Sequence, residues 1–519
     1  MPVPDLSTAA RKAGLWVDTT LADALREVAA TTPRRELVVD GDARLDAATL
    51  QRQATTLANA LLARMPVGSV ISMMLPNWHE AAVVYLGATL AGMAVNPILP
   101  SLRDHELRFI LDDVQSRMIF VPNEFRSHDY PGMLTRVIDG LAEPPEVVVV
   151  RGPGHTPYGS LLTDGPSAPL PALDPDAVRM IMYTSGTTGR PKGVLHTHNS
   201  LHALIRQLRD NWHIDPGDKF LVPSPIAHIG GSIYAFECPL LLGTTAVLME
   251  RWDPDDAVAL MLAEGCTHMA GATPFLAGLL AAAERAGTHL SALKVFICGG
   301  ASVPPSLIRS ATDYFDNAVV SRVYGSTEVP VTTVGSTRPG DTGHAADTDG
   351  RPGIADVRLV DGEIRARGPQ MLIGYLHPED DAEAFDADGY FRTGDLGSWV
   401  DDDYLVVTGR AKDVIIRNGE NISPKEIEDL LVTEPGIAEI AVVGVPDART
   451  GERACAVIVP GAGPAPGVDD LGRVLAGHGV ARFKVPEQVA IWDALPKNDA
   501  GKVLKHQIRA ILMEEPKCR

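Results

Sequence analysis

From about residue 245 the chain alternates short apolar runs with segments of helical periodicity. "TAVLM", "THMAGA", "KVFICGG" and "VVSRVYGSTE" read as strands, and "PDDAVALMLAE", "PFLAGLLAAAERAG" and "PPSLIRSATDYF" between them read as helices. Such alternation predicts a largely parallel, helix-covered sheet, which takes ligands beyond the carboxyl ends of its strands. Two of those ends run into small or polar residues, at Gly299-Gly300-Ala301 and at Gly325-Ser326-Thr327-Glu328. Upstream, "ELVVDGDARLD" predicts a hairpin, with Asp40-Gly41 supplying the positive φ of a tight turn, then an Ala/Leu-rich helix from about Asp46 to Met65. The most apolar stretch, "AAVVYLGATLAGMAVNPILP" from Ala81, is broken by Thr89, Asn96 and two prolines, so it is expected to be a buried helix and not a membrane span.

Two changes of texture divide the chain. The Pro/Gly-rich "RGPGHTPYGSLLTDGPSAPLPALDPD" predicts a lobe boundary near 151–176. After "GRAKD", near Lys412, a compact pattern follows: helix "SPKEIEDLLVT", strands "IAEIAVVGV" and "ACAVIV", helix "VDDLGRVLAGHG", strand "EQVAIW" and a last helix from about Lys505. The predicted α/β architecture is a large multi-lobed N-terminal domain, 1–411, with helix-covered mostly parallel sheets, and a small α+β C-terminal domain, 412–519.

Charge narrows the function classes. With 46 basic and 66 acidic residues the formal charge is -20, which excludes an unaided nucleic-acid or anionic-membrane surface. Five widely separated cysteines, Cys238, Cys266, Cys298, Cys455 and Cys518, suggest neither a disulfide framework nor a cysteine-rich zinc site. The amino terminus lacks the apolar core of a signal peptide, and Cys518 falls outside the prenylation pattern, so a cytoplasmic protein is expected.

The chemistry concentrates first in "YTSGTTGRPKGVLHTH", Tyr183 to His198, which has three Gly, four Thr and a Ser in sixteen positions. Composition alone allows a linker. However, the run follows apolar "VRMIMY", and backbone N–H groups in a Gly-permitted turn can converge on an anion with Lys192 adding charge. It is not a Walker A loop, because Arg190-Pro191 separates Gly189 from Lys192. His196-x-His198 has no third ligand at useful spacing and is not read as a zinc site.

Together with "YGSTE" (Tyr324 to Glu328), "YFRTGD" (Tyr390 to Asp395), "GRAKDVIIRNGENISPKEIE" from Gly409 and "LPKNDAGKVLK" from Leu495, this loop resembles the adenylate-forming superfamily of acyl-CoA synthetases, carrier-loading adenylation domains and luciferases. The motifs occur in the family's order across most of the chain. The resemblance implies that Thr184, Ser185, Gly186, Thr187, Thr188, Gly189 and Lys192 cradle ATP phosphates, and that Glu328, with Thr184, ligates Mg²⁺. It implies that Tyr324 stacks on adenine against Gly299, Gly300 and Ala301, with Gly325, Ser326 and Thr327 in the same nucleotide-binding stretch. Asp395 would accept from the ribose hydroxyls, Arg410 would serve the same sugar or the α-phosphate, and Lys502 would bridge attacking carboxylate and α-phosphate. Lys497 and Lys505 are alternatives for that last role.

By the same resemblance Lys412 is a hinge about which the small, mobile domain rotates, presenting "NGENIS" around Gly419 for a thiol step. His228 would lie beside the acyl carboxylate, in a pocket lined by Gly230, Gly231, Ser232, Tyr234, Gly300 and Val331 to Val334, Thr332 included. The implied activity is an ATP- and Mg²⁺-dependent acid:CoA ligase for an alicyclic, aromatic or medium-chain acid, similar to ligases of the cyclohexanecarboxylate and halobenzoate types. CoA would meet "ARFKVPEQV", which keeps Phe483 and Lys484 but has Val485 where some relatives carry a basic residue. The rival expectations are an enzyme that loads a carrier protein and an inactive nucleotide-binding protein of the same fold. A homodimer is left open as the assembly.

Overall fold

The computed structural model describes residues 4–163, 169–185, 190–300, 303–338, 340–418, 420–447, 449–498 and 501–514. Two seven-stranded sheets dominate it. In the first, the strands Val319–Arg322, Val295–Cys298, His268–Gly271, Lys219–Val222, Thr245–Leu248 and Glu36–Asp40 run parallel in that order, and Ala43–Asp46 closes the edge as a hairpin. Alternate side chains of these strands face opposite ways, as the period of two requires. Val38, Phe220, Val222, Val295 and Ile297 enter the central core, whereas Val39, Leu221, Phe296 and Cys298 pack into a second core under helices Pro254–Glu264, Thr273–Ala286 and Pro305–Tyr314. The hairpin turns at Gly41, with φ +57°, and Asp46 caps the following helix Ala47–Leu62 by accepting from Thr49 N at 2.8 Å.

The second sheet is ordered Pro191–Thr197, Val178–Ser185, Ala94–Pro97, Val70–Met73, Ser116–Pro122, Glu146–Val150, Thr156–Pro157, parallel except for its first pair. Its Ile71, Val95, Phe120 and Met180 share the central core with the first sheet and with helix His79–Leu90, every residue of which from Ala81 onward is buried.

Two expectations need correction. The apolar run from Ala81 is not one helix: it leaves helical geometry after Leu90, turns at Gly92 (φ +69°) and re-enters the core as strand Ala94–Pro97. Burial on all sides erases the periodicity that would have marked the change. The 151–176 connector, in turn, separates no two sheets, because Val178–Ser185 beyond it pairs with Ala94–Pro97 before it. Within it, Thr156–Pro157 adds the last strand to the second sheet.

A four-stranded antiparallel sheet follows, Asp356–Val360, Glu363–Arg367, Phe391–Val400 and Tyr404–Arg410. The chain then passes through a 3₁₀ turn, Ala411–Asp413, into a five-stranded sheet made of Glu420–Ile422, Ile415–Arg417, Gly451–Pro460, Ile437–Asp447 and Gln488–Ile491, with helices Pro424–Leu431 and Val468–Gly477 over its core. Among the described residues no strand after Lys412 pairs with one before it. No helix of the described residues is long and apolar enough to cross a membrane.

Candidate active site

The ends of these sheets converge on a line of charged groups. Val178–Ser185 and Pro191–Thr197 form a hairpin in which Thr184 and Lys192 are opposite one another. Thr184 Oγ1 donates to Glu328 Oε1 at 3.3 Å, and the Tyr375 hydroxyl donates to the same oxygen at 3.2 Å. Burial and then the Glu328 carboxylate raise the proton affinity of Tyr375, so it remains a donor. The backbone of the Glu328 segment is pinned as well, since Leu372 N donates to Glu328 O at 2.7 Å and His196 Nε2 lies 2.8 Å from Thr327 O. Burial holds His196 down to about 4, which makes it a neutral imidazole that donates to that carbonyl. The Lys192 ammonium lies 3.3 Å from Asp380, whose two oxygens also accept from Arg190 at 2.9 and 2.8 Å, and 5.2 Å from the Tyr375 ring centre.

A second cluster stands on the antiparallel sheet. Asp395 and Arg410 are cross-strand partners; Arg410 Nε donates to Asp395 Oδ1 and the Tyr324 hydroxyl to Oδ2, each at 2.7 Å. Burial works against the Arg410 charge, but Asp395 more than restores it, so Arg410 holds its proton above the ordinary arginine range. Tyr324 is buried against Ile364 and Leu405, and its backbone N donates to Thr333 Oγ1 at 2.8 Å. Two glycines here follow from close approach: a Cβ on Gly325 would stand 2.5 Å from Val331 N, and one on Gly299 2.8 Å from Val323 O.

Lys502 reaches this cluster from the far end of the chain. Its turn is held by Gly501 N donating to Asn498 O and Lys502 N donating to Asn498 Oδ1, each at 2.8 Å, and Gly501 lies against Pro274 at the start of helix Thr273–Ala286. The Lys502 side chain keeps a solvent-facing surface. The crevice nevertheless desolvates its ammonium, and together with Arg410 and Lys412, against Asp395 and Asp413, lowers its proton affinity below the ordinary lysine value of 10.5. Among the described residues it has no ion pair, whereas Lys497 pairs with Glu439 and Lys505 with Glu428, each at 2.7 Å.

His228 caps the short helix Ile229–Ser232, with a buried Nε2 that has no hydrogen-bond partner among the described residues. Burial pushes it down to about 4, so it presents a neutral ring near pH 7. Space is open beside Gly230, while a Cβ on Gly231 would meet Pro225 O at 2.1 Å. Ile229, Val323 and Val331 are partly exposed and pack against the central core.

Sequence comparison follows the same line of motifs. The family model described as AMP-binding enzyme matches residues 25–376, and that of the AMP-binding enzyme C-terminal domain matches 426–502. The chain belongs to the AMP-binding enzymes. It is 32% identical to the medium-chain fatty-acid–CoA ligase of Escherichia coli (strain K12), over 97% of this chain and 92% of that one. It is 33% identical to the 3-[(3aS,4S,7aS)-7a-methyl-1,5-dioxo-octahydro-1H-inden-4-yl]propanoyl:CoA ligase of Rhodococcus jostii (strain RHA1), over 95% and 98%. Among solved structures, ATP-bound MatB from Rhodopseudomonas palustris superposes with TM-score 0.84 at 27% identity, covering 96% of this chain and 99% of that one. The chain is therefore an AMP-forming ligase of the acyl-CoA synthetase kind, whose substrates include ATP and CoA.

In this AMP-binding enzyme the structure brings Thr184, Lys192 and Glu328 together, and likewise Tyr324, Asp395, Arg410 and Lys502. Gly186, Thr187, Thr188, Gly189, Ala301 and Gly419 lie outside the described residues, as does the Ser185 side chain. Ser326 and Thr327 form the bend before Glu328, where Ser326 Oγ accepts from Val329 N at 3.2 Å, and Gly300 takes φ +81°. Tyr234 is placed in the core, stacked on Phe220 at 5.0 Å, and Thr332 is buried with its hydroxyl on Val329 O. Val331 is partly exposed at φ +47°, its carbonyl accepting from Gln207 Nε2 at 2.8 Å. Lys412 is exposed in the turn Ala411–Asp413, and Lys484 is tied to Glu426. Tyr375 and Asp380 escaped sequence reasoning, and His196 was weighed there only as a metal ligand, because their contacts span 47, 190 and 131 residues respectively.

Proposed function

We propose that the enzyme joins a carboxylic acid to coenzyme A in two steps at this one site. In the first, a carboxylate oxygen of the acid bonds to the α-phosphorus of ATP, and the bond from that phosphorus to the bridging oxygen breaks, releasing pyrophosphate. In the second, the thiolate of CoA bonds to the acyl carbon, and AMP leaves as the acyl–oxygen bond breaks. The observation that carries this reading is Lys502, an ammonium without an ion-pair partner among the described residues and near the Asp395–Arg410 pair. Two anions meet in the first step, and a cation bridging them lowers the barrier only if it is not already paired.

Asp395 and Arg410 would orient the ribose and α-phosphate, and Lys192 with Arg190 would receive the departing phosphates. Glu328 and Thr184 offer hard oxygen donors 3.3 Å apart, which fits Mg²⁺. When bound, the ion would offset phosphate charge; the chain's own part is to hold those oxygens in place through Tyr375 and His196. The domain boundary at Lys412 would be the hinge that withdraws Lys502 and brings the segment around Gly419 forward for the thiol step. The neutral ring of His228, with open space beside Gly230, supports an acid with an uncharged body, alicyclic, aromatic or medium-chain, and the acids named in the two relatives fall in that range. Cys238, Cys266 and Cys298, buried as free thiols, support a reducing cytoplasm.

A panel of such acids, assayed for AMP release with and without CoA, tests the reading. Acid-dependent AMP release accelerated by CoA is the expected result. Acylation only of a supplied carrier protein would favour the carrier-loading reading, and absence of acid-dependent pyrophosphate exchange would leave a nucleotide-binding protein.

A further inference from the structure

Behind the acid region lies a charged triad that the two-step chemistry does not use. Arg179 stands on the strand that leads into the phosphate loop, and Glu237 ends a π-helical turn, Ile233–Glu237, set between the short α turns Ile229–Ser232 and Cys238–Leu241. Both side chains are 1% exposed, with Arg179 Nη2 2.9 Å from Glu237 Oε1. Arg179 Nη1 donates to the Tyr85 hydroxyl at 2.7 Å, which donates onward to Glu237 Oε1 at 2.8 Å. The ring of Tyr85 stacks on Phe236 at 4.4 Å.

Stability does not account for this arrangement. Removing two charges from water is costly, Arg179 Nε has no hydrogen-bond partner among the described residues, and well-packed apolar replacements of such pairs are often neutral or stabilising. A π turn is likewise rare and concentrates at functional sites. What the triad does provide is a fixed rotational setting. Tyr234, one turn before Glu237, stacks on Phe220 of the first sheet, whereas Glu237 is bonded to Arg179 of the second. The segment 229–241 is thus pinned from both sides, and His228 with Gly230 stands at its leading end.

We propose that Arg179, Glu237 and Tyr85 are positioning residues that hold the π turn in register, and so set how His228 and the Gly230 opening meet the acid and which acids are accepted. This rests on the ligase reading above.

The test compares the parent enzyme with Arg179→Met/Glu237→Leu, which removes both charges, and with Tyr85→Phe, which removes one hydrogen-bonding hydroxyl. Hexanoate, benzoate and cyclohexanecarboxylate are the acids. ATP affinity by calorimetry without acid should stay within about 2-fold, while the ratio of kcat/KM between best and worst acid falls about 10-fold, the scale on which apolar pockets discriminate. Tyr85→Phe should move the same ratio in the same direction, by about 3-fold. A folded double variant with an unchanged ratio overturns the proposal. So does one that loses ATP affinity and all three acids alike, which marks a merely structural role. Should the double variant fail to fold, an unchanged ratio in Tyr85→Phe overturns it. A parent enzyme inactive with every acid would remove the ligase reading, and this proposal with it.

Discussion

Replacing Lys502 by Ala should separate the two half-reactions. Partial desolvation, and then Arg410 and Lys412, lower the proton affinity of the ammonium while its side chain stays exposed, so its attraction for a phosphate oxygen is partly screened. At an effective dielectric near 20, a charge about 4 Å away contributes about 4 kcal/mol. Arg410 cannot compensate, because its guanidinium is already on Asp395 at 2.7 Å. The expected loss in acid-dependent ATP–pyrophosphate exchange is about 10²- to 10³-fold. CoA-dependent consumption of supplied acyl-adenylate, followed in single turnover, should stay within about 3-fold, since that step develops no second anion at the α-phosphorus. The protonated form is the active one and its proton affinity is lowered, so parent exchange should fall as pH rises through a value below 10.5. Residual activity of Lys502→Arg should lack that alkaline limb, because a guanidinium stays charged. Equal loss of both half-reactions in Lys502→Ala, or exchange surviving within tenfold, would refute the assignment.

Gly501→Ala tests the seat of the same turn: φ +78° and a Cβ 3.1 Å from Pro274 Cγ should cost about 1–2 kcal/mol and slow exchange about 5- to 30-fold, with the acyl-adenylate assay spared. Lys412→Pro should do the opposite by stiffening the turn Ala411–Asp413, keeping exchange but slowing CoA turnover at least about tenfold, and normal CoA turnover would argue against rotation there. Stability should fall in mild acid. His196 and His198 are held neutral at about 4 and about 2 against 6.5 when free, so the unfolded chain takes up protons first. Each therefore removes about 1.4 kcal/mol per pH unit below 6.5, the His196 contribution ending near 4. Urea midpoints at pH 7 and 5 measure the slope, which should be shallower in His196→Gln.

The alternating strands and helices between Thr245 and Arg322 were legible because parallel strands packed on both faces read as uniform apolar runs, and polar turns punctuate them. The same uniformity misled at Ala81, where helix His79–Leu90 and strand Ala94–Pro97 are equally buried and only Gly92 marks the corner. Motif order pointed to Glu328, Asp395 and Lys502, with Lys497 and Lys505 as lesser alternatives to the last; that Glu439 and Glu428, each more than fifty residues away, pair with Lys497 and Lys505 could not be read from the sequence. Tyr234 shows the converse limit. An aromatic residue three positions after a pair of glycines reads as pocket lining, whereas the stacked Phe220 ring places it in the core.

Where the hinge begins also determines what the proposed rotation can change. Strand Tyr404–Arg410 places Arg410 opposite Asp395 and bonds to it, and the chain leaves the sheet at the very next residue. A turn about Ala411–Asp413 can therefore carry Lys502 away while Arg410, Asp395 and the Tyr324 hydroxyl stay in place, so the sugar anchor is common to both steps. Among the described residues near this point, Ser423 Oγ donates to Thr408 O at 2.6 Å, Gly501 rests on Pro274, and helix Pro424–Leu431 lies against strand Tyr404–Arg410. A single such hydrogen bond is worth about 0.5–1.5 kcal/mol net. In the proposed rotation the bound substrates would set the orientation: Lys502 would be drawn in while the α-phosphate carries a leaving pyrophosphate, and would lose that attraction once the pyrophosphate has gone.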